Sequence, residues 1–269
     1  MNSKSPHPAA CNRPPSFLRR GLALAAAALL ATFDAGAAVW TRFRGPNGSG
    51  IAADAKTAVA WSDSQNVRWK TGLPGPGTSS PIVVGERIFV TCYSGYGDGS
   101  SGDVQPLRRH LVCVNRADGS IAWSAAVSAA QPEDNFGGFL TEHGYASQHE
   151  GRLYFVSDAG FATCLDAKTG SAIYKERLPG ASATGRGGKP FYASPVLAGG
   201  VLFAVSRQNG TFVFEAKPEF KIIAQNKFAG DDSQFNATPA IAGRQLFLRS
   251  NRALYCIEAA TSAGTENPR

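Results

Sequence analysis

The chain has 269 residues, 43% of them hydrophobic and 17% charged, with 30 Gly, 16 Pro and a single Met. That supplies a sizeable core, excludes a highly charged disordered tail protein, and argues against a helical bundle, where long unbranched helix formers would dominate. The formal net charge of +7 suggests a nucleic-acid binder only until its source is located: the first 37 residues hold Lys4, Arg13, Arg19 and Arg20 against Asp34 alone. The balance left for the rest is too small to track a phosphate backbone.

Residues 1–38 read as a signal peptide. Basic Arg19-Arg20 is followed by the apolar run Gly21–Phe33 and by the small residues Ala35-Gly36-Ala37-Ala38, the order of a cleaved secretory leader. A membrane span wants about 20 apolar residues, so the expectation is an exported protein, periplasmic or extracellular, with no integral membrane segment once the leader is removed. Residues 39–65 form an amino-terminal lead-in, residues 66–259 a repeat array and residues 260–269 a polar tail. Four cysteines follow the leader, and Cys113, Cys164 and Cys256 occupy one position of successive repeats, which suits small buried thiols. Cys92 and Cys113 are the pair able to sit on neighbouring strands, and their redox state stays open.

The repeat is the most informative feature. Four segments align on a marker glycine preceded by one short apolar strand and followed by another: Ser80–Val90 around Gly85, Gly151–Val156, Ser194–Val205 around Gly199, and Thr238–Leu248 around Gly243. A third strand recurs behind each, at Leu111–Asn115, Ala162–Asp166, Thr211–Glu215 and Leu254–Glu258. Asp118-Gly119 and Thr169-Gly170 then supply hairpin turns. A fourth strand carries a bulky residue ten positions on: Trp123 after Cys113, Tyr174 after Cys164 and Ile223 after Val213. Four short antiparallel strands make a β-propeller blade. The fourth repeat lacks its last strand, whereas Asn66–Leu73 has that pattern with no blade before it. The amino-terminal strand is therefore expected to complete the last blade and satisfy its edge.

These ordered motifs, with the opening Trp40-Thr41-Arg42-Phe43-Arg44-Gly45-Pro46-Asn47-Gly48, resemble the pyrroloquinoline-quinone-like (PQQ-like) β-propeller repeat family of exported bacterial proteins. The resemblance implies an all-β propeller, with Trp69, Trp123 and Tyr174 as blade-docking residues that pack on glycine turns of neighbouring blades. The family usually has seven or eight blades, and only four marker glycines occur here. The second unit also departs from the pattern, with Ser147-Gln148-His149-Glu150 in place of a proline and apolar residues, a strand that cannot bury an inner face without stranding polar groups. Two architectures stay open: a four-bladed ring, or a shortened chain joining a first blade to a last three at Ser147-Gln148.

The connection at residues 134–145 reads as the candidate channel-face binding site, with Asp134, Asn135, Glu142, His143 and Tyr145 among glycines. No catalytic residue and no metal site is assigned. The extra loop with Asp98 and Asp103 does not match a calcium-binding spacing, and Arg186-Gly187-Gly188-Lys189 precedes a strand instead of a helix, which removes the phosphate-loop reading. The reading is a binding or scaffold module of the cell envelope, without cofactor, whose partner is a protein or a saccharide. The competing class is a quinoprotein dehydrogenase-like oxidoreductase of alcohols or sugars, holding PQQ with calcium, or a remnant of one.

Overall fold

The computed structural model describes residues 40–95, 107–128, 147–157, 159–181 and 189–259, all within the compact unit Gly36–Arg269. The predicted signal peptide and polar tail lie outside the described residues. Seventeen strands are formed among the described residues. No described helix is long and apolar enough to cross a membrane.

The lead-in contributes β1 (Ile51–Ala52) and β2 (Val67–Gly72). Sheet I follows as β3 (Ile82–Val84), β4 (Arg87–Ser94), β5 (Arg108–Asn115) and β6 (Ile121–Ser128). Sheet II comprises β7 (Ser147–His149), β8 (Arg152–Val156), β9 (Phe161–Asp166) and β10 (Ala172–Arg177). Sheet III comprises β11 (Val196–Ala198), β12 (Val201–Val205), β13 (Thr211–Glu215) and β14 (Ile222–Asn226), with β1 added in parallel beside β11. Sheet IV is β15 (Ala240–Ala242), β16 (Gln245–Arg249) and β17 (Ala253–Ile257), and its fourth strand is β2, from the front of the chain.

Period-two alternation sets which face each strand buries. On β4, Ile88, Val90 and Cys92 are buried while Arg87, Thr91 and Tyr93 are exposed. Strand β13 buries Thr211, Phe212, Val213 and Phe214 in succession, because sheet III is packed on both sides: Phe203, Val205 and Val213 join one core cluster, and Leu202, Ala204, Phe212 and Phe214 join the other. The first cluster unites sheets I, III and IV with the lead-in, and the second unites sheets II and III.

Every third-to-fourth strand pair carries a register shift at the same place: Cys113 faces Trp123, Cys164 faces Tyr174, Cys256 faces Trp69 and Val213 faces Ala224, each beside a bulge. The third repeat corrects the ten-residue rule. Its β13–β14 turn is one residue longer, so Ile223 falls on the bulge and is 40% exposed, while Ala224 takes the docking position. Trp61 of the lead-in lies on this sheet instead, its ring 6.2 Å from Phe203 and its backbone N–H donating to Asn226 Oδ1 at 3.0 Å.

The polar segment Ser147-Gln148-His149 is a second correction, since it was expected to be unable to bury a face and nonetheless forms β7, paired with β8. Ser147 is fully buried, and its hydroxyl lies 3.5 Å from Arg44 Nη2 and 3.4 Å from the Pro195 carbonyl. A short strand tolerates one buried hydroxyl that finds partners.

Sheets pack in pairs through their fourth strands. Trp69 on β2 is 8% exposed and donates from Nε1 to the Arg116 carbonyl at 3.0 Å, against the β5–β6 turn of sheet I. A Cβ at Gly119 in that turn would stand 2.5 Å from the indole. Arg116 returns the contact, with Nε donating to Gln245 Oε1 at 2.6 Å and Nη2 to the Ala242 carbonyl at 3.0 Å. Tyr174 on β10 similarly meets Phe220 in the β13–β14 turn of sheet III at 5.3 Å between rings. Trp123 on β6 has no such seat among the described residues: it is 45% exposed and touches Phe89 of its own sheet at 6.0 Å.

The lead-in crosses the first strands of three sheets. Trp40 exchanges both backbone hydrogen bonds with Val83 of sheet I, Arg44 reaches Ser147 of sheet II, and Ile51 pairs with Leu197 of sheet III. Two glycines make the path possible: a Cβ at Gly45 would stand 2.9 Å from the Trp40 ring, and one at Gly50 would stand 2.8 Å from the Arg44 guanidinium, both at positive φ.

Candidate functional site

The described connections from a fourth strand to the next first strand run over one end of the sheets and knit together there. Leu73 N–H donates to the Arg252 carbonyl, Tyr93 N–H to Pro76, Arg207 N–H to Pro190, Phe235 N–H to Arg207 and Asn251 N–H to Gln234. Each described crossover is thereby fastened to second-to-third hairpin turns, so a layer of irregular chain is held by backbone hydrogen bonds. Loops positioned by a rigid scaffold are where binding residues concentrate.

At the junction of sheets III and IV this layer is anchored by Asp231, 4% exposed. Its Oδ1 accepts from the Ser233 backbone N–H and hydroxyl at 3.0 and 2.6 Å, and its Oδ2 from Ser250 Oγ at 2.6 Å and Tyr255 OH at 2.7 Å. Burial opposes ionisation, but the hydrogen bonds from Ser233, Ser250 and Tyr255 outweigh it and hold the carboxyl below its usual range. Burial and the bond to Asp231 push the Tyr255 phenol up. Tyr255 also stacks on Phe228 at 4.1 Å between rings.

Beside this anchor opens a cavity of about 360 Å³, lined by Gln208, Asn209, Lys227, Asp231, Asp232 and Phe235 among others. Next to it Arg207 lies 4.2 Å over the ring of Tyr192, which is 48% exposed. The guanidinium is held flat by Nε donating to Asn236 Oδ1 at 2.9 Å and Nη2 to Gln234 Oε1 at 2.7 Å. An exposed aromatic ring backed by an anchored cation, next to a polar cavity, suits recognition of a polar chain through stacking and hydrogen bonds.

A buried cation lies under the crossover between sheets IV and I. Arg249 is 1% exposed and donates from Nη1 to the Ser79 carbonyl at 3.0 Å and to Ser79 Oγ at 2.7 Å, while its Nε and Nη2 have no hydrogen-bond partner among the described residues. Burial lowers its pKa to about 10.

The predicted channel-face residues Asp134, Asn135, Glu142, His143 and Tyr145 lie outside the described residues, as do Asp98, Asp103 and the Arg186–Gly188 turn. Their connection joins β6 to β7, the same kind of step as the described crossovers. Arg44, Arg207, Tyr192, Asp231 and Arg249 were not legible as site residues, because each gains its meaning from partners far away in the chain. Cys92, Cys113, Cys164 and Cys256 are all free and buried. Cys92 and Cys113 do lie on adjacent strands, yet Cys92 faces His110 and Cys113 faces Phe89.

The quinone and calcium that the resemblance implies need an open aromatic floor with a carboxylate and an amide beside it. Trp40, Trp61 and Trp69 are 2%, 4% and 8% exposed and already covered. Trp123 stands at a sheet edge. Among the described residues no three His, Cys, Asp or Glu side chains gather as a metal site. The described residues do not fit the group.

Residues 107–217 match a family model described as outer membrane protein assembly factor BamB. No curated protein matches the sequence. Among solved structures, the chain is similar to BamB from Moraxella catarrhalis at 13% identity, over 70% of this chain and 59% of that one, with a TM-score of 0.27. It is similar to a europium-containing methanol dehydrogenase at 11% identity, over 69% and 32%, with a TM-score of 0.24. The computationally designed Ika4 protein is similar at 6% identity, over 76% and 99%, with a TM-score of 0.31. The chain spans 59% of the length of the Moraxella BamB structure.

Proposed function

We propose that the chain, whose residues 107–217 match a model of this repeat family, is an exported, non-enzymatic PQQ-like β-propeller that acts as a binding or scaffold module in the cell envelope. The observation that carries this reading is the crossover face: a hydrogen-bonded loop layer presents the Tyr192–Arg207 stack and the polar cavity beside Asp231. Rigid sheets set the positions while the loops carry recognition. The partner in this reading is an envelope protein that lays an extended polar segment across Tyr192. The family description, an outer membrane assembly factor, agrees with such a role.

The test has two arms. A photo-crosslinking residue is placed at Tyr192 in living cells. A discrete crosslink to an envelope protein that disappears in Arg207→Ala supports the proposal, and no crosslink at this face overturns it. The purified chain is then incubated with quinone and Ca²⁺. A bound-cofactor absorbance with dye reduction by alcohols or sugars would replace the scaffold reading with the dehydrogenase one.

A further inference from the structure

Sheet I has one buried face and one open one. Val83, Ile88, Val90, Cys92, Val112 and Val114 are at most 5% exposed on the face toward sheet IV. On the opposite face Ile82, Phe89, Cys113 and Trp123 form one cross-strand row. Val84 at 47%, Leu111 at 41% and Trp123 at 45% exposure form apolar ground on that face that no described residue covers, interspersed with Arg87, Thr91 and Arg109. A sheet with an uncovered apolar face of this kind marks an interaction surface.

What fits the face is written elsewhere in the molecule. Trp69 and Trp123 are equivalent, each opposite the repeat cysteine and beside the same bulge. Trp69 is seated on Gly119, whose turn is closed by Gly119 N–H to the Asn115 carbonyl at 2.9 Å, with φ +76°. Sheet II repeats that turn: Gly170 N–H bonds the Asp166 carbonyl at 2.9 Å, with φ +73°. Around Gly170, however, none of the described residues lies within 4 Å of where a Cβ would stand. One filled pair and one unfilled pair of the same parts are present in a single chain: an indole without a seat on sheet I and a seat without an indole on sheet II.

We propose that a second copy of this chain closes the array, the Trp123 face of sheet I in each copy docking on the Lys168–Gly170 turn and adjoining face of sheet II in the other. Two such contacts related by a twofold axis satisfy both copies at once and leave no further end to extend, so assembly stops at a dimer. Each contact repeats the seating that already joins sheet IV to sheet I. The dimer holds eight sheets. The inference rests on the sheet geometry and not on which partner the crossover face recognises.

Three measurements test it on the full chain. Light scattering on a sizing column is expected to give twice the chain mass. Trp123→Ala, at a site already exposed, is expected to weaken association at least about tenfold without changing the circular dichroism, as an interface tryptophan does. Mass of a single chain at high concentration, or association that survives both Trp123→Ala and Leu111→Arg, overturns the proposal. In a Cys11→Ser background, chains with Ala122→Cys are mixed with chains with Lys168→Cys, the positions equivalent to Arg68 and Ala117, which meet through Arg68 Nε and the Ala117 carbonyl at 3.0 Å. A disulfide joining two chains is expected. A bridge that forms only within one chain carrying both cysteines would mean that sheets I and II close on each other, and would also overturn it.

Discussion

Trp69 and Gly119 share a contact that admits no side chain on the glycine: a Cβ there would stand 2.5 Å from the indole and 2.8 Å from the Thr71 hydroxyl. Gly170 has the same turn and nearly the same φ in open space. The two glycines separate backbone strain from packing. In dilute solution, Gly170→Ala should cost about 1–2 kcal/mol from the left-handed backbone, and Gly119→Ala about 1–3 kcal/mol more from overlap. Urea unfolding of the two variants gives the comparison. Equal losses would mean that the Trp69 seat tolerates a methyl group and does not join the sheets tightly.

The Asp231 anchor carries a pH signature. Its carboxyl titrates lower in the folded chain than in the unfolded one, so the stability it contributes is complete above the ordinary carboxylate range and is lost as pH falls through the folded value. Asp231→Asn should destabilise by about 2–4 kcal/mol at neutral pH. It should also lose less stability than the parent between neutral pH and about pH 3, the ordinary carboxylate value lying near 4. Denaturation midpoints of both chains across that range test this. Parallel curves would remove Asp231 from the acid transition.

Arg249 predicts the opposite behaviour at the alkaline end. Burial lowers its pKa to about 10, so below that pH the folded chain carries the cost of a buried charge in full. As pH rises through about 10 toward the unfolded value, the folded state releases its proton first and the cost is relieved. Arg249→Met should therefore be as stable as the parent or more so, by up to about 4 kcal/mol, with the gap narrowing above pH 10. A strongly destabilised Met variant would mean that the two bonds to Ser79 outweigh the charge.

The cysteines should behave as core residues. Burial raises the thiols of Cys92 and Cys164 and pushes Cys256 up to about 12, which suppresses the reactive thiolate. Alkylation of Cys92, Cys113, Cys164 and Cys256 at pH 8 should proceed only as fast as the chain unfolds, and all four should label at once in denaturant. Rapid labelling of the native chain, or a thiol that stays unlabelled when unfolded, would contradict the buried free state.

Much of the fold was legible because its signals are local. The marker glycines, the alternating strands and the Asp118-Gly119 and Thr169-Gly170 turns each lie within a few residues, and the unpaired pattern at Asn66–Leu73 announced its place beside β17. The third repeat misled because one extra residue in the β13–β14 turn moves Ile223 onto the bulge, a change of register that spacing alone absorbs without trace. Segment Ser147–His149 misled for a different reason. Its polarity was read against an isolated strand, whereas the buried Ser147 hydroxyl is met by Arg44 from more than a hundred positions earlier.

The sequence by itself determined the repeat, the antiparallel order of its strands and the joining of front to rear, since periodic apolar residues and turn glycines dictate these one hairpin at a time, but not the parallel addition of β1 beside β11. Only the tertiary structure decided that Trp69 is seated while Trp123 is bare, that Arg249 is buried without a carboxylate, and that Asp231 gathers Ser250 and Tyr255. Those outcomes depend on which surfaces meet, and burial and hydrogen bonding between distant segments are properties of the packed assembly that no local pattern encodes.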